Sequence, residues 1–320
     1  MKHCQFANLP TPIQHLERIG EKIGYPNLFI KRDDLTGLEF GGNKTRKLEY
    51  VIADVLHQKA EVVVTVGGLQ SNHVRQTAAI CARYGLECVL ILHDGESEDP
   101  PSGNLFLNQL FGAKIVKCSP DKMDTTVKNV MEEKTSSGKS AYFIPLGAST
   151  PIGAYAYKKA FDEMLAQDNC FDRIVLACGS GGTQAGLLHG ARCSSWRGKV
   201  YGVSILFDKS TIVGYINQLL KDLSMLDGEP VQKQSELIVD DTFLGQGYGV
   251  MGELEKEAIL LFAKTEGVLL DPVYTGRAAG AMLKFMENGS IKPEERILFW
   301  HTGGTPALFC EKYRKQLVSN

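Results

Sequence analysis

Residues 173–193 read RIVLACGSGGTQAGLLHGARC, and the order of residue types in that stretch decides the fold class. The run IVLA is apolar without alternation, which suits a strand buried on both faces of a parallel sheet. Small and hydroxylated residues follow at 178–183, and AGLLHGA then continues as a helical pattern. A strand, a glycine turn and a helix therefore succeed one another directly.

The same unit recurs outward in both directions. VVVTV at 62–66 leads through GGLQSN into HVRQTAAICARYG, and ILFWH at 297–301 leads through TGGTP. Strands are expected at 28–32, 61–66, 88–92, 114–117, 141–144, 173–177, 200–205, 237–239 and 297–301. Helical patterns lie between them, for example at 72–84, 123–136, 151–167 and 182–193. This alternation argues an α/β fold with mostly parallel sheets. Neither a 20–50-residue repeat nor a low-complexity tract is visible. The loops richest in Gly, Pro and Asp are 94–103, which reads as a surface excursion, and 224–236, which reads equally as a loop or a small appended element.

Composition narrows the class. The 320 residues allow one large domain or two ordinary ones, and 43% hydrophobic with 22% charged residues is the profile of a globular enzyme. Net charge is −2 with both signs interspersed, so no nucleic-acid partner is expected. The start, MKHCQFANLPTPIQHL, has no apolar leader core and no run approaches bilayer length, so the expectation is a cytoplasmic protein with no membrane partner. Eight cysteines without a CxxC read as reduced core residues, and seven histidines without ligand spacing suggest no metal.

In open α/β sheets ligands gather at the carboxyl ends of strands, where these glycine turns fall. In Gly41-Gly42-Asn43-Lys44 a lysine sits at a helix entrance behind two glycines. Desolvation there disfavours its ammonium form and makes it an amine nucleophile, whereas a solvated surface lysine is the plain alternative. The GxxxxGK[ST] spacing of a nucleotide P-loop is absent. Ser71 and Asn72 stand where a helix N-cap belongs, and they equally suit an anion such as a substrate carboxylate, with His73 beside them. Gly179-Ser180-Gly181-Gly182-Thr183 reads as a nest of backbone N–H groups around a phosphate. A dinucleotide GxGxxG is the rival reading, but Gln184 stands where its last glycine belongs. Tyr274 reads as an aromatic packing residue or a site residue. Thr275 and Thr302 read as caps or as hydroxyls that meet a pyridine nitrogen.

In order, GGNKTRKLEY, GGLQSNHVRQTAA, GSGGTQAG, LDPVYTGRAAGAM and FWHTGGTPALF resemble the D-cysteine desulfhydrase and 1-aminocyclopropane-1-carboxylate (ACC) deaminase family. This is a branch of the pyridoxal 5′-phosphate (PLP) enzymes of fold type II, the tryptophan synthase β-like group. The resemblance runs from residue 41 to 309. It implies two three-layer α/β domains with PLP in the cleft between them: a larger one from 1–46 and 157–320, and a smaller one inserted at 47–156. It also implies a homodimer acting on a small amino acid.

Carried over residue by residue, the resemblance makes Lys44 the lysine that carries PLP as a Schiff base. Asn72 bonds the phenolic oxygen, and Lys47 with Gly179, Ser180, Gly181, Gly182 and Thr183 holds the phosphate. Ser71 and Tyr274 are catalytic, and Ser71, Asn72, His73, Tyr248 and Tyr274 face the substrate. Thr275 and Thr302 belong to the cofactor site. Deaminases that open ACC carry glutamate where this chain has Thr275, and SNQ where it has SNH. The departure points to elimination of hydrosulfide from D-cysteine. L-cysteate sulfo-lyase and ACC deaminase are the alternatives within the family, with racemase or serine dehydratase activity further off. A non-catalytic α/β protein that binds a phosphorylated ligand is the alternative from another class.

Overall fold

The computed structural model describes residues 1–93, 100–232 and 235–318. Its strands are β1 (Ile13–His15), β2 (Leu28–Arg32), β3 (Val62–Gly68), β4 (Glu87–His93), β5 (Lys114–Lys117), β6 (Ala141–Ile144), β7 (Arg173–Cys178), β8 (Lys199–Ser204), β9 (Ile238–Asp240) and β10 (Ile297–His301). The helices are α1 (Glu17–Ile23), α2 (Asn43–His57), α3 (Asn72–Tyr84), α4 (Gly103–Leu110), α5 (Met123–Ser136), α6 (Pro151–Gln167), α7 (Gly182–Arg192), α8 (Lys209–Asp227), α9 (Glu253–Glu266), α10 (Thr275–Glu287) and α11 (Glu311–Val318).

They build two sheets, ordered β1-β2-β10-β7-β8-β9 and β5-β4-β3-β6. Every pairing is parallel except β1 with β2. Alternate residues of one strand enter different cores, which is why apolar runs are unbroken. Ile297 and Phe299 pack with residues of α9 and α10, while Leu298 and Trp300 pack with α6 and α7. In the smaller sheet Val63 and Leu90 face α2 and α3, and Val64 and Ile91 face α5. Each sheet is thus the middle of three layers, as expected for fold type II.

The differences from the sequence reading are local. β1 was not expected, because three residues give no readable period and tertiary pairing with β2 alone makes them a strand. The 94–103 excursion falls largely on residues 94–99, outside the described residues, and Gly103 already opens α4. The 224–236 stretch begins as the last turn of α8, ended by Gly228 in the left-handed region, while 233–234 lie outside the described residues. Of the cysteines, only Cys81, Cys88, Cys178 and Cys310 are buried. Cys170 is exposed, which corrects its reading as a core residue.

A buried polar cluster fastens the two sheets' elements together. Asp33, just after β2, accepts from the Nε–Nη2 edge of the Arg46 guanidinium at 2.8–3.1 Å, from Tyr157 Oη at 2.6 Å and from Trp300 Nε1 at 2.8 Å. Arg46 also donates to Glu163, which accepts from Lys31 at 2.6 Å. Burial alone would raise the Asp33 pKa, but the Arg46 charge and the converging donors hold it below the usual carboxylate range. A depressed carboxylate contributes stability above its unfolded pKa and loses it as pH falls through the folded one. Asp33→Ala is expected to destabilise the fold by about 3–5 kcal/mol, because it strands a buried guanidinium. Denaturant unfolding of wild type and variant at neutral pH measures this, and a loss below about 1 kcal/mol would contradict it.

Candidate active site

The carboxyl ends of β3, β7 and β10 and the first turns of α2, α3 and α7 enclose a cavity of about 490 Å³, within the usual ligand-site range. Lys44, the second residue of α2, enters it behind an unusual backbone. Gly37, Leu38, Glu39, Phe40, Gly41 and Gly42 all have positive φ, between 50° and 121°. Three non-glycine residues in that region carry strain, which surrounding bonds must hold. Arg75 and Gln76 of α3 supply those bonds, both donating to the Gly41 carbonyl and Arg75 also to that of Glu39. At Gly41 a Cβ would stand 1.8 Å from the Asp34 carbonyl oxygen, so only glycine fits.

Part of the Lys44 side chain opens to the cavity, but protein surrounds its amine. That desolvation lowers its pKa to about 8, against a smaller opposing effect of Cys178 and Lys47. Lys47 lies one turn on, fully buried, and its pKa is pushed down well below the usual lysine value by burial and then by the Lys44 charge. It donates to the Gly147 carbonyl at 3.2 Å and lies 3.4 Å from Ser149 Oγ. Ser149 Oγ in turn lies 2.7 Å from Ser180 Oγ and accepts from Gly182 N at 3.2 Å. Asn43 reaches Thr183 Oγ1 at 3.0 Å. Gly181 has φ 82°, and Gly179 through Thr183 all line the wall.

Across the cavity, Ser71 occupies the N-cap position of α3, yet its side chain makes no capping bond and has no partner among the described residues. Asn72 Oδ1 accepts from Asn104 at 2.9 Å, which turns its amide donor away from Asn104. Thr65 spends its hydroxyl proton on the Ile144 carbonyl, so it must accept from His73 Nε2 at 2.8 Å. The His73 Nδ1 lone pair is then left buried without a partner. Burial, then the Lys44 and Lys47 charges, lowers the His73 pKa well below its usual value, so the ring is neutral. Tyr248 and Tyr274 share a 2.6 Å hydroxyl–hydroxyl bond, and the Thr302 hydroxyl has no partner among the described residues.

One expected site residue is not on the wall. Thr275 is buried, donates to Asp271 Oδ1 at 2.8 Å and accepts from Asp271 N at 2.7 Å. The same carboxylate accepts the N–H groups of Val273, Tyr274 and Thr275, so Thr275 helps close the entry turn of α10. This corrects its placement beside the cofactor. Asn43, Gly147, Cys310, Lys312 and Tyr313 line the cavity without having been singled out, as Ser149 borders it. For Gly147 and Ser149 a signal existed, since AYFI-PLGAST-PIGAY is another strand, glycine turn and helix. The reading that no histidine has ligand spacing is corrected too: His189 and Cys193 are four apart on one helix face and gather with Asp227.

The profile of the family described as pyridoxal-phosphate dependent enzyme matches residues 5–303. The chain belongs to that family. It is therefore a PLP-dependent enzyme, and the non-catalytic phospho-ligand binder is set aside. It is 41% identical over 313 residues to a Thermotoga maritima protein named "Putative 1-aminocyclopropane-1-carboxylate deaminase", covering 95% of this chain and 97% of that one. A solved structure titled as an ACC deaminase homologue superposes with a TM-score of 0.90 at 34% identity, covering 99% of this chain and 96% of that one. A hydrogen sulfide-producing enzyme from Fusobacterium nucleatum shares the fold, with a TM-score of 0.67 at 16% identity over 92% of this chain and 96% of that one.

The residues present suit PLP. Lysine amines share one pocket with no carboxylate on the wall among the described residues, so an anionic ligand that favours their charged forms is electrostatically invited. The glycine nest leaves room that any side chain would fill. A Cβ on Gly182 would stand 2.6 Å from Ser149 Oγ and 2.8 Å from Lys47 Nζ. Gly182→Val is therefore expected to weaken PLP binding at least about tenfold while the chain stays folded, as read by cofactor titration of the apoprotein beside circular dichroism. Unchanged affinity in a folded variant would refute the cradle. The lowered Lys44 pKa gives a second expectation: in the apoprotein, labelling of Lys44 by an amine reagent should rise with pH around a midpoint near 8. Peptide mass spectrometry reads this out, and a midpoint near the ordinary lysine value would contradict it.

Proposed function

We propose that this enzyme eliminates hydrosulfide from D-cysteine, giving pyruvate, ammonia and hydrogen sulfide. The observation that carries the reading is the missing carboxylate: no Asp or Glu lines the cavity among the described residues. Bound in the cavity, PLP supplies the electron sink for negative charge at the substrate α-carbon. A carboxylate beside the ring nitrogen would deepen that sink, and opening a cyclopropane, which has no leaving group, depends on it most. Expulsion of a thiolate depends on it less.

In this reading Lys44 carries the cofactor, and its amine, once free, takes the α-proton. Its pKa of about 8 suits that task near neutrality. Lys47 and residues 179–183 hold the phosphate, Asn72 donates to the phenolic oxygen, and the open Thr302 hydroxyl takes the ring-nitrogen position first given to Thr275. The Ser71 hydroxyl and the Asn72 amide receive the substrate carboxylate, while the neutral His73 ring, which donates Nε2–H to Thr65, offers its Nδ1 lone pair to a substrate N–H donor. The Tyr248–Tyr274 pair, joined hydroxyl to hydroxyl at 2.6 Å, faces the departing sulfur. The reading also makes the enzyme a cytoplasmic homodimer, with residues 47–156 as the inserted smaller domain; β3 to β6 all fall inside those bounds.

The names of two similar proteins favour a second reading, ACC deamination. Release of 2-oxo acid from D-cysteine, L-cysteine, L-cysteate, D-serine and ACC separates the two. D-cysteine should be fastest, and Lys44→Ala should lower that rate on the order of 10³-fold or more. A wild type faster on ACC than on D-cysteine overturns the proposal in favour of the deaminase. Sulfite release from L-cysteate with no other turnover would keep elimination but change the leaving group.

A further inference from the structure

Away from the cavity, three side chains with different donor atoms converge at the far end of α7. His189 and Cys193 stand one helical turn apart, and Asp227 reaches them from the last residue of α8. His189 Nε2 lies 2.9 Å from Asp227 Oδ2 and 3.6 Å from Cys193 Sγ, and the three donor atoms lie within 4.8 Å of one another. The His189 and Asp227 side chains are only 1% and 4% exposed. A hydrogen-bonded His–Asp pair would suffice to tie α7 to α8. It does not require a thiol against the same nitrogen.

We propose that His189, Cys193 and Asp227 bind a borderline divalent cation, Zn²⁺ in the first place, with solvent as fourth ligand. Zinc takes nitrogen, thiolate and carboxylate donors at about 2.0–2.3 Å, and tetrahedral geometry then sets neighbouring donors roughly 3.4–3.6 Å apart. The nitrogen–sulfur separation already matches, and the nitrogen–oxygen separation has to open by about 0.5 Å. The charge that favours a cation is that of the ligands themselves, the Asp227 carboxylate and the Cys193 thiolate. Their charged neighbours balance, because Lys158 is tied to Asp162 at 3.1 Å and to Glu229 at 2.7 Å, and Lys159 to Asp162 at 3.3 Å. On binding, Cys193 releases its thiol proton to solvent. The imidazole proton moves from Nε2 to Nδ1, so that Nε2 offers its lone pair. No group changes oxidation state.

The same helix begins at Gly182 in the glycine nest and ends here, so the metal would pin the end of α7 remote from the cavity. At 1.5 Å per residue the two ends are roughly 10–16 Å apart, too far for the metal to touch the reacting atoms. The site is thus a brace between α7 and α8.

The test uses holoenzyme stripped with chelator, in a Cys170→Ala background that removes the exposed thiol. Zn²⁺ is titrated against a chromophoric competitor, and Co²⁺ serves as the spectroscopic probe. One Zn²⁺ per chain is expected, with a thiolate-to-metal band and tetrahedral visible bands for Co²⁺. Cys193→Ala and Asp227→Asn should each weaken Zn²⁺ binding more than about tenfold, the loss already seen when groups that merely orient a ligand are removed. The metal-free Cys193→Ala enzyme should turn over as metal-free wild type does. Equal Zn²⁺ stoichiometry and affinity in wild type and Cys193→Ala, or a cobalt complex without the thiolate band, overturns the proposal. Should Asp227→Asn fail to fold, Cys193→Ala decides alone.

Discussion

The bidentate pairing of Arg46 with Asp33 is the contact on which the site depends. Asp33 follows β2, Arg46 belongs to the first turns of α2, and the Tyr157 and Trp300 that also serve Asp33 come from α6 and β10. Lys44 and Lys47 flank Arg46 on the same helix, so the cluster that orients Arg46 also fixes the direction in which α2 presents its lysines. A buried ion pair of this kind adds little net stability over an apolar substitute, and removing one partner is costly. Its contribution is positional: two cations and two carboxylates satisfy one another only in one arrangement of four elements.

The cavity obeys the opposite rule. Around Lys44 and Lys47 no carboxylate among the described residues balances the charge, and both amines are driven toward neutrality by desolvation and, at Lys47, by its neighbour. His73 is held neutral by the same two charges and by burial. Open acceptors and donors remain at His73 Nδ1 and at the hydroxyls of Ser71 and Thr302. The protein thus stores unsatisfied polarity where an anionic ligand enters and satisfies polarity fully where the scaffold is fastened. The left-handed run at 37–42 joins the two regions, held by a buried arginine that answers backbone carbonyls.

Much of this was legible in the chain itself. Apolar runs without alternation marked the buried strands, and glycine turns between strand and helix marked the ligand end of each sheet, because both follow from local composition. Lys44, Ser71, Asn72 and the 179–183 nest stood out for the same reason. What the tertiary structure alone decided lies in long-range partnership. β1 exists only through its pairing with β2. Ser71 stands at a cap position yet makes no cap, and Thr275, read as a cofactor contact, instead bonds Asp271. The sequence names hydroxyl and amine groups and places them at helix starts. Which of them face a ligand depends on the neighbours that packing supplies, since a single buried carboxylate can claim a hydroxyl that no local pattern shows to be taken.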